Sequence, residues 1–314
     1  MTPIKVLYIL AMGRSGSTLL GNTLGQIEGF CDVGELRHLW GNGLRWNSPC
    51  GCGELVTQCS FWMSVTANAI EGDRDLVAAR LVELQKTKVK TSKAPRLLAH
   101  LVGFRSHDYD EYAAALEAHY RAIAQESGAA VVVDGSKHPI DALLLSKVPG
   151  VELHVLHLVR DPRGVAYSWS KRKENPGTKR GFMLTRTPTA SSIRWSIRVL
   201  LAGVIRISCS DRFMQLRYED FVRQPAEALR QVLSWIGEDR PQIPITGPPN
   251  KVVLGPTHTA WGNPNRHLRG EIAIVPDEEW RRAMPRKAYV FATLPTLPLL
   301  WILGYRVFRR SSPE

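Results

Sequence analysis

The sequence predicts an α/β fold, a P-loop-like parallel sheet flanked by helices on both faces, as a single domain with an insertion. Short apolar runs alternate with longer segments of helical periodicity along the chain. Several of the apolar runs have almost no polar residues, which is typical of parallel strands buried on both faces. The 314 residues are 44% hydrophobic and 22% charged, which is enough for one large core.

The elements follow in order from these patterns. Strands are predicted at residues 4–10, 31–33, 130–134, 152–159 and 212–217. Helices are predicted at residues 17–27, 108–126, 140–147, 163–173, 191–207 and 226–236. Pro139 and Pro225 precede two of these helices, where proline suits the first turn.

Residues 41–103 fit the alternation poorly and are predicted to be an insertion on the acceptor side of the site. Residues 41–60 are rich in Gly, Cys, Trp and Pro and are predicted to be an irregular loop. The basic run at residues 86–96 is either a solvated linker or helix end, or a basic rim for a charged substrate.

The chain is strongly basic. Its 41 Lys and Arg against 29 Asp and Glu leave a net charge of +12, with a pI of about 9.7. That surplus indicates an anionic ligand, an acidic polymer or a membrane surface, and a generic basic surface is the alternative. We expect no nucleic-acid partner, and the oligomeric state stays open.

Three of the five cysteines, Cys50, Cys52 and Cys59, lie close together in the chain. An odd count argues against a fully paired secreted framework. The spacing lacks the C-x₂-C pairs usual in zinc sites, so a loop of thiols, with or without one disulfide, is predicted instead. With no secretory signal before the first strand, the expected location is the cytoplasm.

The segment at residues 289–305 is uncharged and has basic residues on both sides. It is shorter than the roughly 20 apolar residues of a spanning helix, and Pro295 and Pro298 interrupt it. We therefore expect residues 286–310 to form an apolar C-terminal helix with basic flanks, docked on the domain. Peripheral contact with a membrane stays open. The basic flanks are Arg286, Lys287, Arg306, Arg309 and Arg310.

The stretch AMGRSGST, residues 11–18, is close to the nucleotide-binding loop G-x-x-x-x-G-K-[ST]. Gly16 and Thr18 match that pattern, whereas Ala11 and Ser17 replace the first glycine and the lysine. The strand–loop–helix setting still provides an anion cradle at a helix N-terminus. Arg14 supplies the charge with a planar fork that grips two oxygens, which favours a phosphate carrying a sulfonyl group over a magnesium-bridged triphosphate.

No carboxylate suited to a magnesium ion follows the central strands. Asp134 ends a predicted strand, but Lys137 comes shortly after it and would compete with a cation. We therefore expect no metal at this site.

A second anion site is predicted in LVRDPRGVAYSWSKRK, residues 158–173. Arg160 follows a strand end, the edge at which open α/β sheets bind ligands. Ser168 and Arg172 are four residues apart and are predicted to share one helix face. The set suits a separate phosphate monoester, and a basic amphipathic helix is the alternative.

Four segments in this order resemble the sulfotransferases that use 3′-phosphoadenosine 5′-phosphosulfate. They are GRSGSTLL, LVRDPRGVAYS, LRYEDFVRQPAEALRQVLSWIG and HTAWGNPNRHLRG. The arginine in the loop is similar to that of the tyrosylprotein and some bacterial carbohydrate members. The hormone- and phenol-sulfating members carry a lysine there and a histidine base.

The resemblance implies a role for each matched residue. It places the 5′-phosphosulfate on Arg14, Ser15, Gly16, Ser17 and Thr18, and the 3′-phosphate on Arg160, Ser168 and Arg172. It places Tyr218 near the nucleotide and makes Arg266 a closing contact.

Sulfuryl transfer needs a base for the acceptor proton and cations for the leaving phosphate. Glu35 follows the predicted strand at residues 31–33, and the resemblance implies a base in the pair Gly34-Glu35. The alternative for Glu35 is a carboxylate at a helix end beside Arg37.

Lys137, just past another strand end, is the predicted cation for the bridging oxygen, and a surface lysine is its alternative. His138 and His38 are secondary candidates for the base. His258 is left unassigned.

The sequence thus predicts an enzyme that moves a sulfuryl group from 3′-phosphoadenosine 5′-phosphosulfate to an acceptor hydroxyl without a metal. The acceptor would be a carbohydrate, a glycolipid, a small molecule or a tyrosine. A P-loop kinase or NTPase, and a non-catalytic protein that binds polyanions or membranes, are the two rivals.

Overall fold

A five-stranded parallel sheet lies at the centre of the computed structural model, which describes residues 2–174, 181–238 and 242–307. The spatial order of its strands is β2-β3-β1-β4-β5. The predicted fold class is confirmed. The strands are β1 Ile4–Ala11, β2 Phe30–Asp32, β3 Val131–Asp134, β4 Val151–Val159 and β5 Phe213–Arg217.

The central strand β1 explains why both faces of the sheet are covered. Its side chains alternate, so that Val6 and Tyr8 pack into one apolar cluster and Leu7 and Ile9 into another. All four are fully buried. A strand with buried apolar side chains on both faces therefore separates two hydrophobic cores.

The helices of the described residues include all six predicted above, with ends that shift by a few residues, and several that were not predicted. They are α1 Ser17–Leu24, α2 Ser60–Ala69, α3 Arg74–Thr87, α4 Ala94–Leu101, α5 His107–Ser127, α6 Pro139–Leu145, α7 Pro162–Ser170, α8 Pro188–Cys209, α9 Tyr218–Arg223, α10 Pro225–Trp235, α11 Glu279–Ala283, α12 Arg286–Thr293 and α13 Leu297–Ile302.

Residues 41–60 are only partly irregular, so the predicted loop is wrong at its start. A π-helix covers Leu39–Arg45, and α2 begins at Ser60. Trp40 and Trp62 are fully buried here, and the Trp40 indole donates to Nε2 of His119 at 3.2 Å. Both tryptophans belong to the hydrophobic core, and their burial stabilises the fold of this segment. That residues 41–103 are an insertion stays a prediction.

A small antiparallel pair, β6 Lys251–Leu254 and β7 Gly270–Ala273, was not predicted. Each strand is four residues long, too short to show a clear alternation in the sequence. The pair contributes Val252 and Leu254 to the core on the α1 side of the sheet.

The C-terminal segment docks on α8 as predicted, but it is not one helix. A 3-10 turn at Leu294–Thr296 separates α12 from α13, with Pro295 and Pro298 in first-turn positions. Ser196 of α8 donates to the Pro295 carbonyl at 2.9 Å. Within the three described ranges, no helix has the length and apolar character needed to cross a membrane. The predicted basic residues Arg309 and Arg310 lie outside those ranges.

Candidate active site

The carboxyl ends of the parallel strands bring the predicted site residues to one edge of the sheet. Arg14 follows β1, Glu35 follows β2 and Lys137 follows β3. Arg160 and Tyr218 come directly after β4 and β5. Parallel strands deliver all these residues to the same edge, where ligands bind in open α/β sheets.

The glycine loop turns sharply between β1 and α1. Arg14 has a φ of 75° and Gly16 a φ of 87°, in the left-handed region that favours glycine. A Cβ on Gly16 would lie 2.5 Å from the Tyr218 ring. The loop therefore packs directly on Tyr218, which explains the glycine at this position.

The Arg14 guanidinium is the most informative group of the loop. All three of its nitrogens are buried, and none has a hydrogen-bond partner among the described residues. Burial lowers the pKa of Arg14, as expected for a cation held away from water. The Ser15 hydroxyl is also buried, and no described residue pairs with it. Buried polar groups are normally paired, so this loop is built for an anion.

Trp169 of α7 supports the loop, and the sequence analysis did not find it. Its indole donates to the Gly13 carbonyl at 2.9 Å. The Arg14 guanidinium lies 5.4 Å from its ring centroid, and that of Arg186 lies 4.6 Å away. Trp169 therefore positions Arg14 through stacking and a backbone hydrogen bond.

Glu35 and Lys137 form an ion pair, with Lys137 Nζ 2.5 Å from Glu35 Oε1. Both side chains are largely buried, and they line one cleft together with Ser17 and Thr18 of the loop. The predicted base and the predicted cation are thus brought together beside the anion cradle.

The pKa pattern distinguishes Glu35 from the other candidate bases. Burial acts to raise the pKa of Glu35, but the charge of Lys137 and the hydrogen bond that it donates outweigh burial, so that the pKa of Glu35 is lowered. Burial lowers the pKa of His38 and of His138, so both are neutral at neutral pH. Burial raises the pKa of the nearby Asp32 to about 7. Glu35 is therefore the cleft carboxylate that is fully ionised at neutral pH.

Lys137 stands in an unusual backbone conformation, with a φ of 65°. Arg198 of α8 donates to the Lys137 carbonyl and, at 3.1 Å, to the carbonyl of Ala11 at the end of β1. Arg198 was missed by the sequence analysis, yet it ties the lysine to the glycine loop. It is a positioning residue.

Arg160 links the two predicted anion sites. Its guanidinium donates to the Arg14 carbonyl at 3.1 Å and stacks 4.4 Å from the Tyr218 ring centroid. It also pairs with the Asp277 carboxylate at 3.0 Å. Ser168 is buried on α7. Asp277 therefore occupies one side of Arg160, and binding of a 3′-phosphate by Arg160 and Ser168 stays a prediction.

The placement of Arg172 on one helix face with Ser168 is wrong. Helix α7 ends at Ser170, and the chain turns away into an isolated bridge between Glu174 and Phe182. Arg172 is exposed there, with its guanidinium 3.7 Å from the Phe182 ring centroid.

Lys173, the residue after Arg172, has a pKa that responds to the charges of the glycine loop. Desolvation, and after it the positive charges that include Arg14 and Arg160, lower the pKa of Lys173. Lys173 is therefore the cation of this segment that lies in the field of the loop.

Arg266 lines the other side of the cleft, and its predicted role as a closing contact stays a prediction. It is buried, and it donates to the carbonyls of Thr259 at 2.9 Å and Pro49 at 2.6 Å. Burial lowers the pKa of Arg266 to about 10. The Trp261 carbonyl in the same segment accepts from the Glu35 amide at 2.9 Å. This segment holds the predicted base in place.

The unassigned His258 also has a definite position. Its Nδ1 lies 3.2 Å from the Cys59 sulfur and 3.9 Å from that of Cys50. All five cysteines are free thiols.

Comparison with known proteins decides the family. A family model described as the sulfotransferase family matches residues 7–242, well over half of the chain. The chain belongs to the sulfotransferase family. Human carbohydrate sulfotransferase 3 is 25% identical over 182 residues, which cover 54% of this chain and 36% of that relative. The match thus spans about a third of the relative's length.

A solved structure agrees with the fold of this sulfotransferase. The sulfotransferase domain of the olefin synthase from Synechococcus PCC 7002 aligns with a TM-score of 0.53 at 21% identity. The alignment covers 97% of this chain and 96% of that domain. Family membership confirms the resemblance and supports sulfuryl transfer over the kinase and non-catalytic rivals, although the fourth motif, residues 258–270, lies outside the matched residues. The roles of individual residues stay predictions.

Proposed function

We propose that this sulfotransferase moves a sulfuryl group from 3′-phosphoadenosine 5′-phosphosulfate to a hydroxyl of a carbohydrate-type acceptor. The observation that carries the proposal is the buried Arg14 guanidinium, which lacks a partner among the described residues, in a loop that shares a cleft with Glu35 and Lys137. It combines an anion site, a base and a second cation in one place.

The residues of the loop fit the phosphosulfate end of the donor. Arg14 offers a planar fork, and the Ser15 hydroxyl is a further buried group free to bond. The loop leads into the N-terminus of α1, where backbone N–H groups favour an anion. The left-handed Gly16 brings the backbone close to the ligand.

The 3′-phosphate would bind at Arg160 and Ser168, with Lys173 adding positive charge. Arg160 now pairs with Asp277, whose side chain is 48% exposed and therefore free to move into water. A phosphate bound to Arg160 would replace the Asp277 carboxylate with a dianion. The stacked Tyr218 holds the guanidinium plane in both cases.

Glu35 would act as the base and Lys137 as the cation of the leaving group. The acceptor oxygen attacks sulfur, its proton passes to Glu35, and the bond from sulfur to the bridging phosphate oxygen breaks. Lys137 and Arg14 stabilise the charge left on the phosphate. When Lys137 turns to that oxygen, it releases the Glu35 carboxylate from their ion pair.

A carbohydrate acceptor is supported by the cleft and by the name of the human relative. The half-buried indole of Trp261 lines the cleft beside the hydroxyl- and amide-bearing Thr259 and Asn22. An aromatic face beside polar groups suits an amphipathic ring with several hydroxyls. The basic run at residues 86–96 contacts the segment that follows Glu35, since its Val89 carbonyl accepts from Arg37 at 2.6 Å.

The cytoplasmic location and a peripheral contact of the C-terminal segment with membranes stay predictions. The exposed apolar side chains that support membrane contact are Val290, Phe291, Leu294, Trp301 and Ile302.

The test is transfer of labelled sulfate from the donor to a panel of glycans, glycolipids, phenols and tyrosyl peptides, with Glu35→Gln beside the wild type. We expect Glu35→Gln to lower kcat by about 10²–10⁴. Glu117→Gln, which changes a carboxylate paired with Arg121 on α5, is the matched control and should keep full activity. Transfer that survives in Glu35→Gln would remove Glu35 as the base, and magnesium-dependent transfer of phosphate from ATP would refute the proposed reaction.

A further inference from the structure

A cluster of sulfur and nitrogen atoms lies beside the cleft, and the proposed reaction does not use it. Cys50, Cys52, Cys59 and His258 each offer one ligand atom, and these four atoms lie within 4.8 Å of one another. Cys50 and Cys59 are fully buried, and Cys52 and His258 are half-buried. The cluster is therefore enclosed by the protein rather than spread over its surface.

The spacing of the atoms matches a tetrahedral metal site. Zinc–sulfur bonds of about 2.3 Å and zinc–nitrogen bonds of about 2.0–2.1 Å place tetrahedral ligands about 3.5–3.8 Å apart. Here Cys52 Sγ lies 3.7 Å from Cys59 Sγ, and His258 Nδ1 lies 3.2 Å and 3.9 Å from the sulfurs of Cys59 and Cys50. We propose that these three cysteines and His258 bind one structural zinc ion.

The local backbone brings the cysteines together. The Cys50 amide donates to the Glu54 carbonyl at 2.7 Å, and the Gly53 amide donates to the Cys50 carbonyl at 3.0 Å. Gly53 takes a φ of 105° at the end of this tight turn, which runs from Cys50 to Gly53 and contains Cys52. The turn places two sulfurs toward one point, and Cys59 at the start of α2 supplies the third.

The fourth ligand is held by packing. The His258 ring stacks on Phe61, with 4.7 Å between centroids and 14° between planes. The chain beside it is fixed by the Gly51 amide, which donates to the Thr259 carbonyl at 3.0 Å. His258 thus has a defined ring orientation before any ion binds.

The charges around the cluster also suit this ion. Three thiolates lose their protons to bind Zn²⁺, and the site then carries one net negative charge. Arg266 donates to the Pro49 carbonyl, and Arg269 donates to the Gly51 carbonyl, on both sides of Cys50. Two guanidinium groups therefore lie next to the negative site.

The zinc would join two parts of the chain that are far apart in sequence. Cys59 and His258 are separated by 199 positions. The first part is the loop before α2, and the second carries Trp261 and Arg266 into the cleft. Zinc would keep this closing segment on the Glu35 side of the sheet. The site does not depend on which reaction the cleft performs.

The test is the zinc content of the full chain, freed of any metal-binding tag and purified under reducing conditions. We expect about one zinc ion per chain, and a Co²⁺-substituted chain with thiolate-to-cobalt absorption and the intense visible bands of tetrahedral coordination. Loss of a residue that hydrogen-bonds to a metal ligand lowers metal affinity by roughly 10–100-fold. Cys52→Ser and His258→Gln each remove a ligand itself, so they should weaken zinc binding by more than that. Cys209→Ser, which removes another half-buried thiol, is the matched control and should bind zinc normally.

The wild-type measurements decide the matter even where a variant fails to fold. Wild-type chain without zinc and without the cobalt spectrum would overturn the proposal, as would a disulfide between any two of the three cysteines in mass spectra. Equal zinc content in wild type, Cys52→Ser and His258→Gln would overturn it too. None of these measurements needs a sulfuryl donor or acceptor, so failure of the proposed reaction would leave them unaffected.

Discussion

Replacing Arg14 with methionine should separate donor binding from stability. Methionine keeps most of the aliphatic length but removes a guanidinium whose three nitrogens are buried with no partner in the described part of the chain. Removing that unpaired group relieves a penalty of about 1–3 kcal/mol, whereas the lost stacking on Trp169 costs about 0.5–2 kcal/mol. The free protein should therefore be as stable as the wild type or slightly more stable.

Donor binding should change far more. A fork that makes two charge-assisted hydrogen bonds contributes about 1.5–3 kcal/mol for each, or about 3–6 kcal/mol in total. At about 1.4 kcal/mol for each factor of ten, kcat/KM for the donor should fall by about 10²–10⁴. Arg14→Lys keeps the charge without the fork, so its kcat/KM for the donor should lie between the values of the wild type and Arg14→Met.

The assay pairs thermal unfolding of the free protein with donor titration by calorimetry and with kcat/KM. Arg230→Met on α10 removes the same charge from an exposed side chain and should change neither quantity. A Tm that falls in Arg14→Met while donor affinity stays within about threefold of the wild type would refute the reasoning, because Arg14 would then be structural.

Four further outcomes are expected. Because the pKa of Glu35 is lowered, its carboxylate stays ionised until pH falls below the ordinary glutamate value of about 4.3, and the acid limb of kcat/KM should lie below that pH. An acid limb that persists in Glu35→Gln at unchanged kcat/KM would instead indicate another base. Gly16→Ala places a Cβ 2.5 Å from the Tyr218 ring at a residue with a positive φ. It should lower the free energy of unfolding, measured by denaturant titration, by about 1–3 kcal/mol. An unchanged midpoint would show that the loop accommodates the methyl group without strain. Trp169→Phe loses the hydrogen bond to the glycine loop, which contributes about 1 kcal/mol. It should therefore raise the KM for the donor about fivefold at nearly constant kcat. An equal loss in kcat would contradict a positioning role. Trp301 is 81% exposed, and we expect the wild-type protein to sediment with anionic vesicles and Trp301→Ser to do so more weakly. Wild-type protein that does not sediment with the vesicles would refute membrane contact.

The candidate site shows how far local patterns reach. Arg14, Glu35 and Lys137 were found because each follows a short apolar strand, and parallel strands end at one edge of a sheet. Their ion pair and burial, which set the pKa of Glu35, arise from distances across the sheet edge that no local spacing encodes.

The errors have related causes. Arg172 was placed on a helix face because the periodicity continues past the point where α7 ends at Ser170. The chain leaves the helix to form its bridge between Glu174 and Phe182, a tertiary contact that overrides local propensity. Trp169 and Arg198 act on backbone carbonyls far from them in the chain, and a residue's type does not reveal such a contact.

The sequence by itself determined the fold class, the anion loop and the family, because strand burial, loop chemistry and motif order are properties of neighbouring residues. Only the tertiary structure decided that Arg172 lies off the α7 helix, what holds Lys137 and which residues meet around His258. The zinc cluster is the clearest case. Three of its ligands lie within one short stretch, but the fourth comes from the other end of the chain, and it is folding that brings a histidine 199 residues away to 3.2 Å from Cys59.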